Sequence, residues 1–166
     1  MRLAAYAISL LLIALSFSAC SRKKKELEES EENALSRKRI ESTLARYYQD
    51  FSDRNWLAFA THFWEGAVLT TVWQKPSESA EDVHYTTIPE FIAKAPEGPD
   101  SQPIFEEKMV KSDIKVEGGL AQAWVFYEAK FGSEDSLYHW EGIDAITLIR
   151  FNNQWKIASI AYMSRD

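Results

Sequence analysis

From Phe105 to Met163 the sequence runs in four extended stretches joined only by short turns. They are Phe105–Glu117, Leu120–Phe131, Leu137–Phe151 and Trp155–Met163. The joints are Gly118-Gly119, then Gly132-Ser133-Glu134-Asp135, then Asn152-Asn153-Gln154. Gly-Gly supplies the positive φ angles of a tight hairpin, and joints this short hold neither a helix nor a crossover, so the stretches form an antiparallel meander. In Trp155–Met163 one parity holds Ile157, Ala161 and Met163 and the other Ala158, Ile160 and Tyr162. A sheet with one wet face alternates apolar and polar residues. Both faces are therefore expected to be covered, one by helices and the other by a second copy in a homodimer.

The helices lie upstream. Ile40, Leu44, Tyr47, Tyr48 and Phe51 fall at i, i+4, i+7, i+8 and i+11, one face of an α-helix. Ser52-Asp53 breaks it and offers an N-cap to a second helix carrying Trp56, Leu57, Phe59, Ala60 and Phe63, which Gly66 ends. Ala67–Trp73 and Val83–Thr87 read as strands. Pro89 opens a third helix to Ala95, and three prolines with Gly98 make Pro96–Pro103 a loop. The fold class is α+β, with the helices first and the meander after.

The first residues are an address rather than part of the fold. Met1-Arg2 precedes an uncharged stretch, Leu3 to Ala19, short for a membrane span of about 20 apolar residues. Its end, Leu15-Ser16-Phe17-Ser18-Ala19-Cys20, resembles the lipobox of bacterial lipoproteins, with Phe17 where those signals usually carry Leu. The resemblance implies diacylation at Cys20, the only cysteine of the chain, and cleavage before it. The expected organisation is a signal peptide at 1–19, a lipid-anchored charged tether at 20–33 and one domain at 34–166. The resemblance places the chain in the bacterial cell envelope, anchored to the membrane. Ser21, rather than the Asp of inner-membrane retention, points to the outer membrane facing the periplasm in a Gram-negative host. Arg22-Lys23-Lys24-Lys25 suits anionic headgroups beside the anchor.

With 19 Lys and Arg against 25 Asp and Glu, the net charge is −6, which disfavours a nucleic-acid partner. The three histidines, 62, 84 and 139, have no metal-site spacing, so no metal is expected. No Gly-rich phosphate loop and no Gly-x-Ser-x-Gly elbow occurs, and no cofactor is expected.

The run Gly142-Ile143-Asp144-Ala145-Ile146-Thr147-Leu148-Ile149-Arg150-Phe151, its polar turn, and Trp155-Lys156-Ile157 resemble the nuclear transport factor 2-like superfamily. Within it the match is to the bacterial polyketide-cyclase-like (SnoaL-like) branch, and Ala121-Gln122-Ala123-Trp124-Val125-Phe126-Tyr127 looks like its central strand. The resemblance spans roughly residues 40–163. It implies a cone: three N-terminal helices packed on a curved antiparallel sheet. Members often carry Ser-His-Cys-Gly before the Asp strand. Here Tyr138-His139-Trp140-Glu141-Gly142 puts the His one place early, and one residue in a strand reverses the face.

Asp144 stands in an otherwise apolar stretch, and a buried carboxylate must be paired or hold its proton more tightly. It reads either as a structural acceptor or as a general base, with Tyr85 or His139 as donor. His62 and Trp64 at the mouth of the cone, with Trp124 and Glu128 on one strand parity, are candidates for a ligand pocket; Glu128 reads equally as an outward charge beside Lys130. Three functions fit: a non-catalytic domain binding a small apolar or amphipathic molecule, a cofactor-free acid–base enzyme (isomerase, dehydratase or cyclase) acting on a carbonyl compound, and an adaptor docking a protein partner. A second titratable group beside Asp144 in a pocket separates the enzyme from the others.

Overall fold

The computed structural model describes residues 2–73 and 80–165, without the side chains of 2–26 and of Trp73. The expected acylation site Cys20 and the leader before it lie outside the described side chains. The chain divides into two compact units, Met1–Ser36 and Arg37–Asp166. The described residues of the first lie within the helix α1 (Arg2–Ser52), and its residues 27–32 are exposed.

The second unit is α+β. It holds the last turns of α1, then α2 (Trp56–Thr61), β1 (Phe63–Trp73), β2 (Asp82–Thr87), α3 (Ile88–Ala93), β3 (Ile104–Glu117), β4 (Leu120–Ser133), β5 (Ser136–Phe151) and β6 (Gln154–Arg165). The six strands form one curved sheet in the order β2-β1-β6-β5-β4-β3. The meander β3 to β6 is antiparallel as its turns dictate, but β1 joins β6 in parallel, so the sheet is mixed. The helices are not all N-terminal either: α3 follows β2.

Local chemistry explains both corrections. Arg54 takes φ +55° and ends α1; Asn55, not Ser52 or Asp53, caps α2, its Oδ1 accepting from the Ala58 N–H at 3.3 Å. The second helix stops at Thr61, and Phe63 already belongs to β1. Gly66, at φ +83°, sits inside β1 where its pairing to β6 shifts register, a conformation that favours glycine. At α3, Thr87 and Glu90 form a capping box.

The concave face packs on the helices. On β4 it presents Ala121, Ala123, Val125, Tyr127 and Ala129, and on β5 Gly142, Asp144, Ile146 and Leu148. The helical stripe Ile40, Leu44, Tyr47, Tyr48 and Phe51 joins the same core, with Phe59 of α2 fully enclosed. On β6 an extra residue between Ile157 and Ser159 lets Trp155, Ile157, Ile160 and Tyr162 all face inward. The two apolar parities of β6 thus do not mark two apolar faces; a bulge moves one face from odd to even positions.

Candidate functional site

A cavity of about 170 Å³ lies between the helices and the open end of the sheet. Asp144 stands in its wall on β5, only 3% exposed. Its cross-strand neighbour on β6 is Tyr162, and Tyr48 of α1 donates its hydroxyl to Asp144 Oδ2 at 2.5 Å. The second acid is Glu107 of β3, partly buried and in the same wall. Ser52, the last residue of α1, fixes it: its Oγ donates to the Glu107 carbonyl at 2.8 Å and accepts the Glu107 N–H at 2.9 Å.

Tyr127 is the third fixed element. It faces Gly142 across β4 and β5, and a Cβ on residue 142 would stand 2.0 Å from its ring. Only glycine leaves room for the ring to lie over β5. Trp140 and Ser164 line the same cavity and counter the rise that burial imposes on the Tyr127 hydroxyl. Phe51, Phe59 and Phe91 line the side of the cavity away from the sheet, and Tyr162 and Ser164, both solvent-accessible, mark its opening.

The electrostatics follow from burial without a counter-ion. Burial pushes the Asp144 carboxyl up to about 7 against the opposing hydrogen bond from Tyr48. Burial, and then the negative charge of Asp144, hold the Glu107 carboxyl well above the usual range. The hydroxyls of Tyr47, Tyr48, Tyr127 and Tyr162 are all raised by burial first, with both acids adding to it. Two carboxyl groups that both hold their protons more tightly than usual thus share one cavity, an arrangement able both to take and to give a proton.

Of the residues the sequence singles out, only Asp144 lies in this cavity. Tyr85 is on the outer side of the edge strand β2 and 77% exposed. His139 is exposed on the outer face opposite Lys130, Glu128 is exposed opposite Glu141, and Trp124 is 49% exposed. His62 caps α2 at its C-terminus and pairs through Nε2 with Asp50 Oδ2 at 2.7 Å, away from the cavity. Trp64 packs edge-on against Phe151, ring centres 5.0 Å apart. Sequence reasoning missed Glu107, Tyr47 and Tyr162 as cavity residues, and Tyr48 as the donor to Asp144. Among the described residues, no three His, Cys, Asp or Glu side chains come together in a way that could hold a metal ion.

No family model and no curated protein matches the sequence. Solved structures do match the fold. A candidate scytalone dehydratase from Novosphingobium aromaticivorans is 15% identical and superposes with a TM-score of 0.66, covering 82% of this chain and 89% of that one. A candidate dehydratase from the nuclear transport factor 2-like family of Streptomyces avermitilis is 10% identical at a TM-score of 0.62, covering 80% and 98%. A nuclear transport factor 2-like protein of unknown function from Silicibacter pomeroyi is 15% identical at 0.57, covering 80% and 98%. The fold is therefore nuclear transport factor 2-like: a curved sheet and helices around an interior cavity. Likeness at this identity carries the fold and no activity.

Proposed function

We propose that this chain is a lipid-anchored protein of the bacterial cell envelope whose domain binds a small molecule about one ring in size. The observation that carries the binding reading is the cavity of about 170 Å³, with aromatic walls and two convergent carboxyl groups. An apolar protein cavity of about 150 Å³ accepts benzene, which sets the ligand's scale. The envelope reading rests on Leu15–Cys20 and the charged tether after it, and the outer membrane follows from Ser21 in a Gram-negative host. Cys20→Ala is expected to release the protein from the membrane fraction or leave the precursor uncut; normal processing and membrane association would end that part. For the pocket, native mass spectrometry of protein from its own host is expected to find a small molecule retained. The absence of any such mass, together with no saturable rise in unfolding temperature across ring-sized compounds, would remove the binding reading.

A second reading is favoured by the pair of acids. Asp144, ionising near neutral pH beside Glu107, whose carboxyl burial also raises, suits cofactor-free proton transfer on a carbonyl compound, as in an isomerase, dehydratase or cyclase of the polyketide-cyclase-like branch. Two fold neighbours carry dehydratase names. Asp144 would take a proton from carbon beside the carbonyl, and Tyr47 or Tyr162 would donate to its oxygen in place of Tyr85 and His139. Loss of turnover with retained binding in Asp144→Asn separates this reading from binding alone.

We assign the cover of the outer sheet face to a second copy. Val72, Ile143, Phe126 and Trp124 run across that face, with Met163 beside Ile143. Sedimentation is expected to give a dimer at micromolar concentration that Trp124→Lys dissociates; a monomer throughout would overturn it.

A further inference from the structure

We infer that the cavity takes a small organic cation: an ammonium group on a body about one ring in size. The inference rests on the binding reading above and adds the charge of the ligand. The wall contains seven aromatic rings and two carboxyl groups and, among its lining residues, no Lys, Arg or His. Such a wall offers a cation two kinds of attraction and an anion no positive charge. Ring faces of Tyr and Trp attract ammonium groups most strongly where water is excluded, and a carboxylate beside them supplies the counter-charge.

The unused hydrogen-bonding capacity points the same way. Among the described residues Asp144 receives only the Tyr48 hydroxyl, on Oδ2. Among the described residues the Glu107 carboxyl has no hydrogen-bond or ion-pair partner. The Tyr47 hydroxyl, on a residue 4% exposed, has none either. These oxygens face the open space of the cavity, and an ammonium brings up to three N–H donors to them in place of water. A metal ion fits less well, because aromatic walls leave too few oxygen ligands for a hard cation. A neutral carbonyl compound could accept from a protonated acid, but it would leave the ionised carboxylate without a counter-charge.

The proton count makes the inference measurable. The groups facing Asp144 are Tyr47 and Tyr48 from α1, Glu107 from β3, Tyr127 from β4 and Tyr162 from β6; α2 and α3 contribute Phe59 and Phe91. Of these the tyrosines are all raised and stay neutral, which leaves the two carboxyl groups to respond to pH, Asp144 at about 7. A bound ammonium favours the ionised acid. Binding then releases a proton where Asp144 is protonated, and affinity rises with pH.

The test uses the full chain in detergent and three compounds of one shape: cyclohexylammonium, cyclohexanol and cyclohexanecarboxylate. Calorimetry is expected to show the ammonium binding at least about tenfold more tightly than the alcohol at neutral pH, with no heat from the carboxylate. Ammonium affinity should rise several-fold from about pH 6 to about pH 8, with proton release visible as a different heat in two buffers. Asp144→Asn and Glu107→Gln should each narrow the preference for the ammonium over the alcohol, and the two variants guard against one failing to fold. An alcohol that binds as tightly as the ammonium overturns the assigned charge and leaves the pocket standing. Undiminished preference in both variants also overturns the cation assignment. No binding by any of the three compounds overturns the cation and the binding reading together.

Discussion

Glu106 and Glu107 are chemically the same residue on adjacent positions of β3, and the sheet sends them to opposite worlds. Glu106 faces outward, where its cross-strand partner Lys130 meets it at 2.8 Å with both side chains nearly half exposed. The hydrogen bond from Lys130 lowers the Glu106 carboxyl, and the same contact raises the lysine. Glu107 faces the cavity, meets another acid instead of a base, and is pushed up. The outer face near this end carries both signs, with Lys108, Glu128, Lys130 and Glu141 among its charges. Water and lysine favour the ionised form of carboxylates there, as at Glu106. On the inner face nothing neutralises them, so ionisation costs free energy.

The first way to sharpen this contrast is to cut equivalent aromatic bulk from each face. Phe59 is fully enclosed, and its ring lies 5.0 to 5.7 Å from those of Phe63, Phe51, Tyr47, Trp56 and Phe91. Phe59→Ala should cost about 3–5 kcal/mol in denaturant unfolding, the range for losing a buried aromatic ring. Trp124→Ala on the outer face should cost well under half as much in the monomeric state, since its ring is already half in water. Equal losses would mean that the outer face is as dry as the inner one.

The next effect is a slope rather than a step. The folded state holds the Asp144 proton up to about 7, against an ordinary aspartate value near 4 in the unfolded chain. The folded state thus binds more protons through that window, and the Asp144 contribution to stability falls as pH rises from about 4 to about 7, then levels off. The loss should reach about 2–4 kcal/mol. Asp144→Asn has no proton to lose, and its amide oxygen can still accept from Tyr48. Its stability curve should lack that fall, leaving it at least as stable as the parent above pH 7. A parallel pair of curves would place Asp144 in a far wetter setting than its burial implies.

Gly142→Ala comes third. The new methyl must push the Tyr127 ring off β5, and the cavity is the open space available to it. The expected cost is about 1–3 kcal/mol, as for other overpacked sites, with a loss of ligand binding out of proportion to it. Unchanged binding would show that Tyr127 moves elsewhere.

How much of this was legible in the sequence depends on where the strands keep step. The alternation of small apolar residues in Ala121, Ala123, Val125, Tyr127 and Ala129 marks the inner face of β4 correctly, and Asp144 shares the even parity of Gly142 and Trp140. Read together, these put His139, Trp124 and Glu128 outside. The candidates outside the cavity were chosen for large or polar side chains, whereas the inner face is marked by the small ones that make room for helices. Glu107 was hidden by something else. Beyond the bulge, Ile114 and Val116 face inward on even positions, which extrapolates backwards to Glu106 and Lys108. The register shift between Met109 and Lys111 reverses the parity and turns Phe105, Glu107 and Met109 inward instead. No residue type in Met109-Val110-Lys111 announces that extra residue. The bulge in β6 likewise turned one apolar face into the appearance of two. Tyr47 was legible as helix core but not as cavity wall, because periodicity gives the buried stripe without saying where packing stops.

The smallest expected effect tests the pair that opened the comparison. Glu106→Gln removes an exposed ion pair of the kind that contributes little, because water and salt screen the charges and two long side chains must be held still. The Glu106 carboxyl is lowered, so what stability it adds is present above the ordinary glutamate value and fades as pH falls through the depressed one. Glu107 is raised, so the sign reverses: its contribution falls as pH rises. At pH 7 Glu106→Gln should therefore lower the unfolding midpoint slightly, and added salt should erase the difference. Glu107→Gln should leave the midpoint unchanged or raise it, and salt should matter far less because the charge is out of reach of counter-ions. If both variants lose stability together and both losses vanish in salt, the two faces of β3 are equally wet at this end, and Glu107 stands in water rather than in the wall of the cavity.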